Sequence, residues 1–244
     1  MAKSPTLVAH RGQMETCPEN TLLAIETALQ CGAPCVEFDV QSTADGMLVV
    51  FHDVELERVT GVKGNLFTIT HTELEELRVT EPKRFHKGAF SEPIPTLFKV
   101  VELLQRYPKA RAFVEIKCET IAMFGTQQVM DHLLAAIDPI HQQCVVISFS
   151  LEAIEYTQQH SNLKTGWVLD KYDEEHHQCA TALNPDYLIV NHTKLLKGQA
   201  PWPGDWEWML YDITDPELYM KYANDVALIE TRDICTMLQY LADQ

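Results

Sequence analysis

Along this chain, apolar and polar residues alternate in short runs, and between the runs apolar residues recur at the three-to-four spacing of helices. Thr6 to Arg11 reads as a first strand, Cys35 to Thr43 as a second, and Leu48 to Phe51 as an arm returning from it. Further strands are expected at Ala112 to Lys117, Cys144 to Phe149, Thr165 to Leu169, Tyr187 to Asn191, Glu207 to Tyr211 and Val226 to Thr231. Pro18-Glu19-Asn20-Thr21 opens a helix that runs to about Cys31 and stops at Gly32, and Ile94-Pro95-Thr96 opens another to about Tyr107. With the returning arm set aside, eight strands separated mostly by helices predict an α/β chain folded as a (β/α)8 TIM barrel. A doubly wound open sheet is the alternative, but no Gly-x-Gly-x-x-Gly or Gly-Lys-Thr/Ser loop supports it.

From Asp53 to Pro93 the alternation breaks into charged, turn-rich sequence with one short helical patch, His71 to Leu77. That is too long for a bare loop. The chain is therefore expected to be one domain, 1–244, with a subdomain inserted at about 43–94 after strand two. An Asp45-Gly46 two-residue turn would set Asp39 directly opposite His52, with Glu37 on the same face. A slip of one residue would turn His52 to the other face.

The chemistry sits on these strands. In Val36-Glu37-Phe38-Asp39-Val40 the two acids share one face, and Phe113-Val114-Glu115-Ile116-Lys117 repeats the device. In a barrel, His10, Arg11, Glu37, Asp39, Glu115 and Lys117 all converge on the mouth at the C-terminal ends of the strands, and the hairpin brings His52 back to it. Three inward-facing acids are costly to bury without a cation or full pairing. Glu37, Asp39 and Glu115 form an all-oxygen set suited to one divalent cation, Mg²⁺ or Ca²⁺, rather than zinc. His10 and His52 are placed for proton transfer, and Arg11 and Lys117 for holding a phosphate. The other histidines, including His176 and His177, are expected on the surface.

Composition narrows the partners. A formal charge of −16 argues against nucleic acid and anionic membrane surfaces. No apolar run is long enough for a membrane span, and with so few residues before His10 no signal peptide is expected there. Seven cysteines without metal-type spacing favour buried thiols and a cytoplasmic setting over disulfides. Oligomeric state is not predicted.

Taken in order, His10-Arg11-Gly12, Pro18-Glu19-Asn20-Thr21, Glu37-Phe38-Asp39, Thr43-Ala44-Asp45-Gly46, Val50-Phe51-His52-Asp53, Ile94-Pro95-Thr96 and Glu115-Ile116-Lys117 resemble the glycerophosphodiester phosphodiesterase family over the first half of the chain. The resemblance implies a phospholipase C-like barrel with a small insertion after strand two, a divalent cation, and hydrolysis of glycerophosphodiesters to glycerol 3-phosphate and an alcohol. It also implies that His10 and His52 are the acid/base pair, that Glu37, Asp39 and Glu115 are the metal ligands, and that Arg11 and Lys117 lie near the phosphate. The second half departs from the family pattern. Tyr211-Asp212-Ile213-Thr214 stands where Trp-Thr-Val-Asn is usual, and Thr231-Arg232, preceded by Glu230, replaces Thr-Asp. These departures concern the leaving-group pocket. A lysophospholipase D-type activity is the alternative within enzymes, with Trp202, Trp206 and Trp208 lining an apolar groove rather than packing as a loop. A noncatalytic glycerophosphodiester-binding protein is the alternative from another class.

Overall fold

The computed structural model describes residues 4–195 and 201–243. The strands are β1 (Thr6–Ala9), β2 (Cys35–Ser42), β3 (Leu48–Val50), β4 (Arg78–Val79), β5 (Glu92–Pro93), β6 (Arg111–Ile116), β7 (Cys144–Ser148), β8 (Lys164–Leu169), β9 (Tyr187–Asn191), β10 (Glu207–Tyr211) and β11 (Leu228–Thr231). Eight of them run parallel in the ring order β1-β2-β6-β7-β8-β9-β10-β11, and β1 pairs with β11 as well as β2. The sheet is therefore closed, which excludes the open doubly wound alternative.

The helices are α1 (Leu22–Gln30), α2 (Glu57–Thr60), α3 (His71–Leu74), α4 (Leu97–Leu104), α5 (Cys118–Phe124), α6 (Thr126–Ile137), α7 (Leu151–His160), α8 (Glu174–Leu183), α9 (Pro216–Tyr222) and α10 (Ile234–Ala242). Their starts are written in the sequence. Thr21 Oγ1 accepts from the Ala24 N–H, Thr96 caps α4, Ser150 caps α7 and Asp215 caps α9, each meeting backbone donors that a helix start leaves free.

Strand alternation divides the core. Val36, Phe38 and Val40 of β2 point outward into the main core between sheet and helices, where Val100, Leu104 and Met130 are also buried. Cys35, Phe113 and Tyr187 point inward with Val8, Ile189 and Met209 and fill the lower barrel, Phe113 meeting Tyr187 edge-on at 5.4 Å. One layer higher, the inward positions become Glu37, Asp39, Glu115 and Glu230, all buried. An apolar floor thus carries an acidic layer.

The hairpin differs from expectation in register. Val40 pairs with Val50 and Ser42 with Leu48, and the Phe51 N–H donates to the Asp39 carbonyl at 3.0 Å, so Phe51 and not His52 stands opposite Asp39. Thr43 N–H closes onto Met47 O, leaving the three-residue loop Ala44-Asp45-Gly46 with Gly46 at φ 83°. A three-residue loop ending in a left-handed glycine moves the partner strand by one residue relative to a two-residue turn. His52 still reaches the mouth, because β3 ends at Val50 and His52 lies beyond the ladder.

Residues 51–96 build their own small core from Phe51, Leu56, Val59, Leu66, Leu74, Val79 and Ile94. The helix at His71 stops at Leu74, short of Leu77, and β4 pairs with β5.

Two cysteines correct the thiol expectation. Cys31, at the end of α1, is disulfide-bonded to Cys235 of α10 across a sequence separation of 204 residues, with Cα atoms 5.4 Å apart. Barrel closure brings the first and last helices together, a proximity that sequence spacing does not reveal. Cys17, Cys35, Cys118, Cys144 and Cys179 are free. His176 is a second correction. Its side chain is 15% exposed, held between Asp170 and Asp173 and stacked on Trp167.

Candidate active site at the barrel mouth

β1 ends directly in the site. Arg11 takes a left-handed φ of 51° and Gly12 one of 81°. A Cβ on Gly12 would stand 2.4 Å from the Ala24 carbonyl carbon, so the turn that aims His10 and Arg11 requires glycine there. The Arg11 backbone N–H donates to Glu37 Oε2 at 3.0 Å, while its guanidinium reaches Asp39 Oδ2 at 3.0 Å and Glu19 Oε1 at 2.9 Å.

β2 delivers the first two acids. Asn20, itself at φ 58°, clamps Asp39 twice: its side-chain amide donates to Asp39 Oδ2 at 2.8 Å and its Oδ1 accepts from the Asp39 N–H at 3.2 Å. β6 delivers Glu115, and Lys117, just past its end, donates to Glu115 Oε1 at 2.7 Å and Asp39 Oδ1 at 3.3 Å. His52 sits across the mouth with Nδ1 2.6 Å from Asp53 Oδ1. Arg58 grips Asp53 and donates to both carboxylate oxygens of Glu19, at 2.6 and 2.8 Å.

These contacts surround a cavity of about 430 Å³ lined by His10, Arg11, Glu37, His52, Glu115 and Lys117, with Asp39 reached through Arg11 and Lys117. All seven residues expected from the sequence thus gather at one mouth.

Burial and charge pull the acids apart. Burial pushes Glu37 and Glu115 above the usual carboxylate range, and neighbouring acids push Glu37 further. Burial would raise Asp39 too, but Arg11 and Lys117 hold it well below. Burial, helped by the Arg11 charge, lowers His10 to about 3, so its imidazole is neutral near pH 7.

The residues present fit a divalent cation. One oxygen from each of Glu37, Asp39 and Glu115 lies within 4.8 Å of the others, and Glu37 Oε1 is buried without a hydrogen-bond partner among the described residues. An orphaned carboxylate oxygen in an acidic layer is what a hard cation satisfies.

Several further residues at the mouth lie outside the set of seven that the sequence predicts. Glu19 and Asn20 were legible only as a helix entry, although Pro18-Glu19-Asn20-Thr21 is itself a compact polar cluster. Arg58 lies in the insertion, with no local signal. Glu230, a lone acid after Leu228-Ile229, is 4% exposed and lines the cavity, as does Asp212, whose Oδ1 is 4.0 Å from His10 Nδ1. Trp202, Trp206 and Trp208 do not line it. Trp202 stacks on Tyr172 at 4.0 Å, its carbonyl accepts from Trp208 Nε1 at 2.9 Å, and Trp206 and Trp208 are buried, an aromatic cluster packed against the barrel.

A closed (β/α)8 barrel of this kind has known counterparts. The chain belongs to the glycerophosphoryl diester phosphodiesterase family, whose model matches residues 10–201. A glycerophosphodiester phosphodiesterase of Bacillus altitudinis is 39% identical over 111 residues, 46% of this chain and 44% of that protein. One from Caldanaerobacter subterraneus is 40% identical over 98 residues, 40% of each chain. The matched segments span less than half the length of these relatives. Over the whole fold, an Oleispira antarctica phosphodiesterase solved in complex with the product sn-glycerol-3-phosphate superposes with a TM-score of 0.84 at 22% identity, covering 99% of this chain and 98% of that one. Among the described residues no helix is long and apolar enough to cross a membrane.

Proposed function

We propose that this protein hydrolyses glycerophosphodiesters to glycerol 3-phosphate and an alcohol, using one divalent cation, Mg²⁺ or Ca²⁺, held by Glu37, Asp39 and Glu115. Residues 1–244 then act as one catalytic domain, and the 43–94 insertion supplies His52 with its Asp53 and Arg58 support. The observation that carries this is the convergence of three buried acids, two histidines, an arginine and a lysine on one cavity, in a chain of this family.

A bound cation supplies Lewis acidity that polarises a phosphoryl oxygen. Arg11 and Lys117 hold the nonbridging oxygens and stabilise the charge that gathers on them during in-line displacement, Arg11 by its planar fork and Lys117 as a point charge. One of His10 and His52 takes the proton of the nucleophile, water or the glycerol 2-hydroxyl, and the other protonates the departing alkoxide. Asp53 fixes the His52 ring by accepting at Nδ1, which leaves Nε2 for the substrate. Attack by the 2-hydroxyl would give a cyclic phosphate, hydrolysed with the histidine roles exchanged.

A lysophospholipase D-type activity would need an apolar groove leading from the mouth, and the packed tryptophans do not provide one. Phosphorus NMR of glycerophosphocholine, glycerophosphoethanolamine and lysophosphatidylcholine, each with Mg²⁺ or Ca²⁺, tests the substrate class. Glycerol 3-phosphate from the first two is expected. Turnover of the lysolipid alone would overturn the assignment.

A further inference from the structure

The mouth contains a second set of ligand atoms, in which Glu230, a residue with no part in the proposed reaction, joins His10 and Glu37. Glu230, on β11, is opposite Val8 of β1, two residues before His10, and the His10 N–H donates to the Thr231 carbonyl at 2.9 Å. This register brings His10 and Glu230 to the same side of the mouth. One atom each from His10, Glu37 and Glu230 lies within 4.8 Å of the others.

The oxygens of this set are not otherwise satisfied. Glu37 Oε2 is taken by the Arg11 backbone N–H, but Glu37 Oε1 and Glu230 Oε1 are buried with no hydrogen-bond partner among the described residues. Both side chains are at least nine-tenths buried, Glu37 2% and Glu230 4% exposed, and both face the cavity. Two orphaned, buried carboxylate oxygens cost folding energy that a ligand would return.

We infer that His10, Glu37 and Glu230 form a second divalent-cation site beside the Glu37–Asp39–Glu115 site, with Glu37 shared between them. The inference rests on the proposed cation reading of that first site. The donor sets differ in kind. Three carboxylates suit hard Mg²⁺ or Ca²⁺, whereas one imidazole nitrogen with two carboxylate oxygens suits zinc, which takes three protein ligands and keeps a fourth position open. The function also differs. An ion on the His10 nitrogen occupies the lone pair that proton transfer requires, so loading this site withdraws one member of the acid/base pair. The second site is therefore inhibitory, and Glu230 is the residue that creates it.

Zinc chloride added to Mg²⁺-loaded protein tests this by two readouts. The first is zinc and magnesium bound per chain after equilibrium dialysis, by elemental analysis. The second is the ratio of glycerophosphocholine turnover with and without zinc. Wild type is expected to hold two ions, and Glu230→Gln one. Across the same titration, wild-type turnover should fall about tenfold or more, the scale of losing a general acid or base, and that of Glu230→Gln less than about twofold. Glu230→Leu, which removes a buried carboxylate outright, should behave like the glutamine variant and covers the case in which Glu230→Gln misfolds. Two ions in wild type and variants alike would overturn the inference by putting the second ion elsewhere. One ion in wild type would also overturn it but leave the first site standing, whereas no ion in wild type would remove both.

Discussion

Asp53 Oδ1 lies 2.6 Å from His52 Nδ1, and Arg58 donates to both oxygens of the same carboxylate. A carboxylate against one ring nitrogen fixes which nitrogen faces the substrate. Asp53→Asn should therefore lower kcat roughly 10- to 100-fold, the usual scale for a partner that orients an active histidine, with KM little changed. Steady-state kinetics of the two proteins checks this, and an unchanged kcat would remove Asp53 from that role.

Glu19 is 4% exposed and joins Arg11 to Arg58, so it ties the β1 turn to the insertion. Removing the shared carboxylate leaves two guanidinium groups crowded together. Glu19→Gln should cost about 2–3 kcal/mol in urea unfolding, below the full scale for a broken buried pair because Arg58 is partly solvated. The pH dependence has a definite sign. Burial would raise the Glu19 carboxyl, but Arg58 and Arg11 bring it down to about 2. Its contribution is thus complete above the ordinary carboxylate range and fades as pH falls toward 2. The gap between wild type and Glu19→Gln should narrow when the unfolding is repeated at about pH 3.

The Cys31–Cys235 bond ties α1 to α10 across the seam where the barrel closes. Titration in denaturant should find five thiols without reductant and seven with it. Because the loop is long, the double variant Cys31→Ser/Cys235→Ser should lose about 2–4 kcal/mol of stability. Seven thiols without reductant would favour the reducing compartment expected from the sequence.

His176 has the opposite pH signature to Glu19. Burial alone would lower it, but hydrogen bonds to Asp173 and Asp170 raise it above 6.5. Its contribution is full below the unfolded value and is lost as pH rises through the raised one. His176→Gln should therefore lower Tm more at about pH 5 than at about pH 9, and an equal effect at both would contradict the charged pair.

The strand order and the acids were legible because each rests on a local pattern. Glu37 and Asp39 share a face by period two, and their outward neighbours Val36 and Phe38 made the assignment unambiguous. The β2–β3 register was not legible, because Ala44-Asp45-Gly46 and a bare Asp45-Gly46 turn share the same residues and differ only in whether Thr43 pairs with Met47. Glu19, Arg58 and the disulfide escaped for another reason. The disulfide joins helices 204 residues apart that meet only once the barrel closes, and the Glu19–Arg58 pair depends on how the insertion packs against the β1 turn. Asp212 and Glu230 stood out as departures from the family pattern, but their approach to His10 depends on the β1–β11 pairing.

The most direct measurement is glycerol 3-phosphate release from glycerophosphocholine by the wild-type, His10→Ala, His52→Ala and Glu115→Gln proteins, each assayed after exhaustive chelation and after return of Mg²⁺ or Ca²⁺. Wild type should be inactive with chelator and recover with one of the ions. Each histidine variant should stay about 100-fold or more below it, and Glu115→Gln should need far more cation to recover. Full wild-type activity after chelation, or histidine variants as fast as wild type, would contradict a cation-assisted acid/base hydrolysis at this mouth.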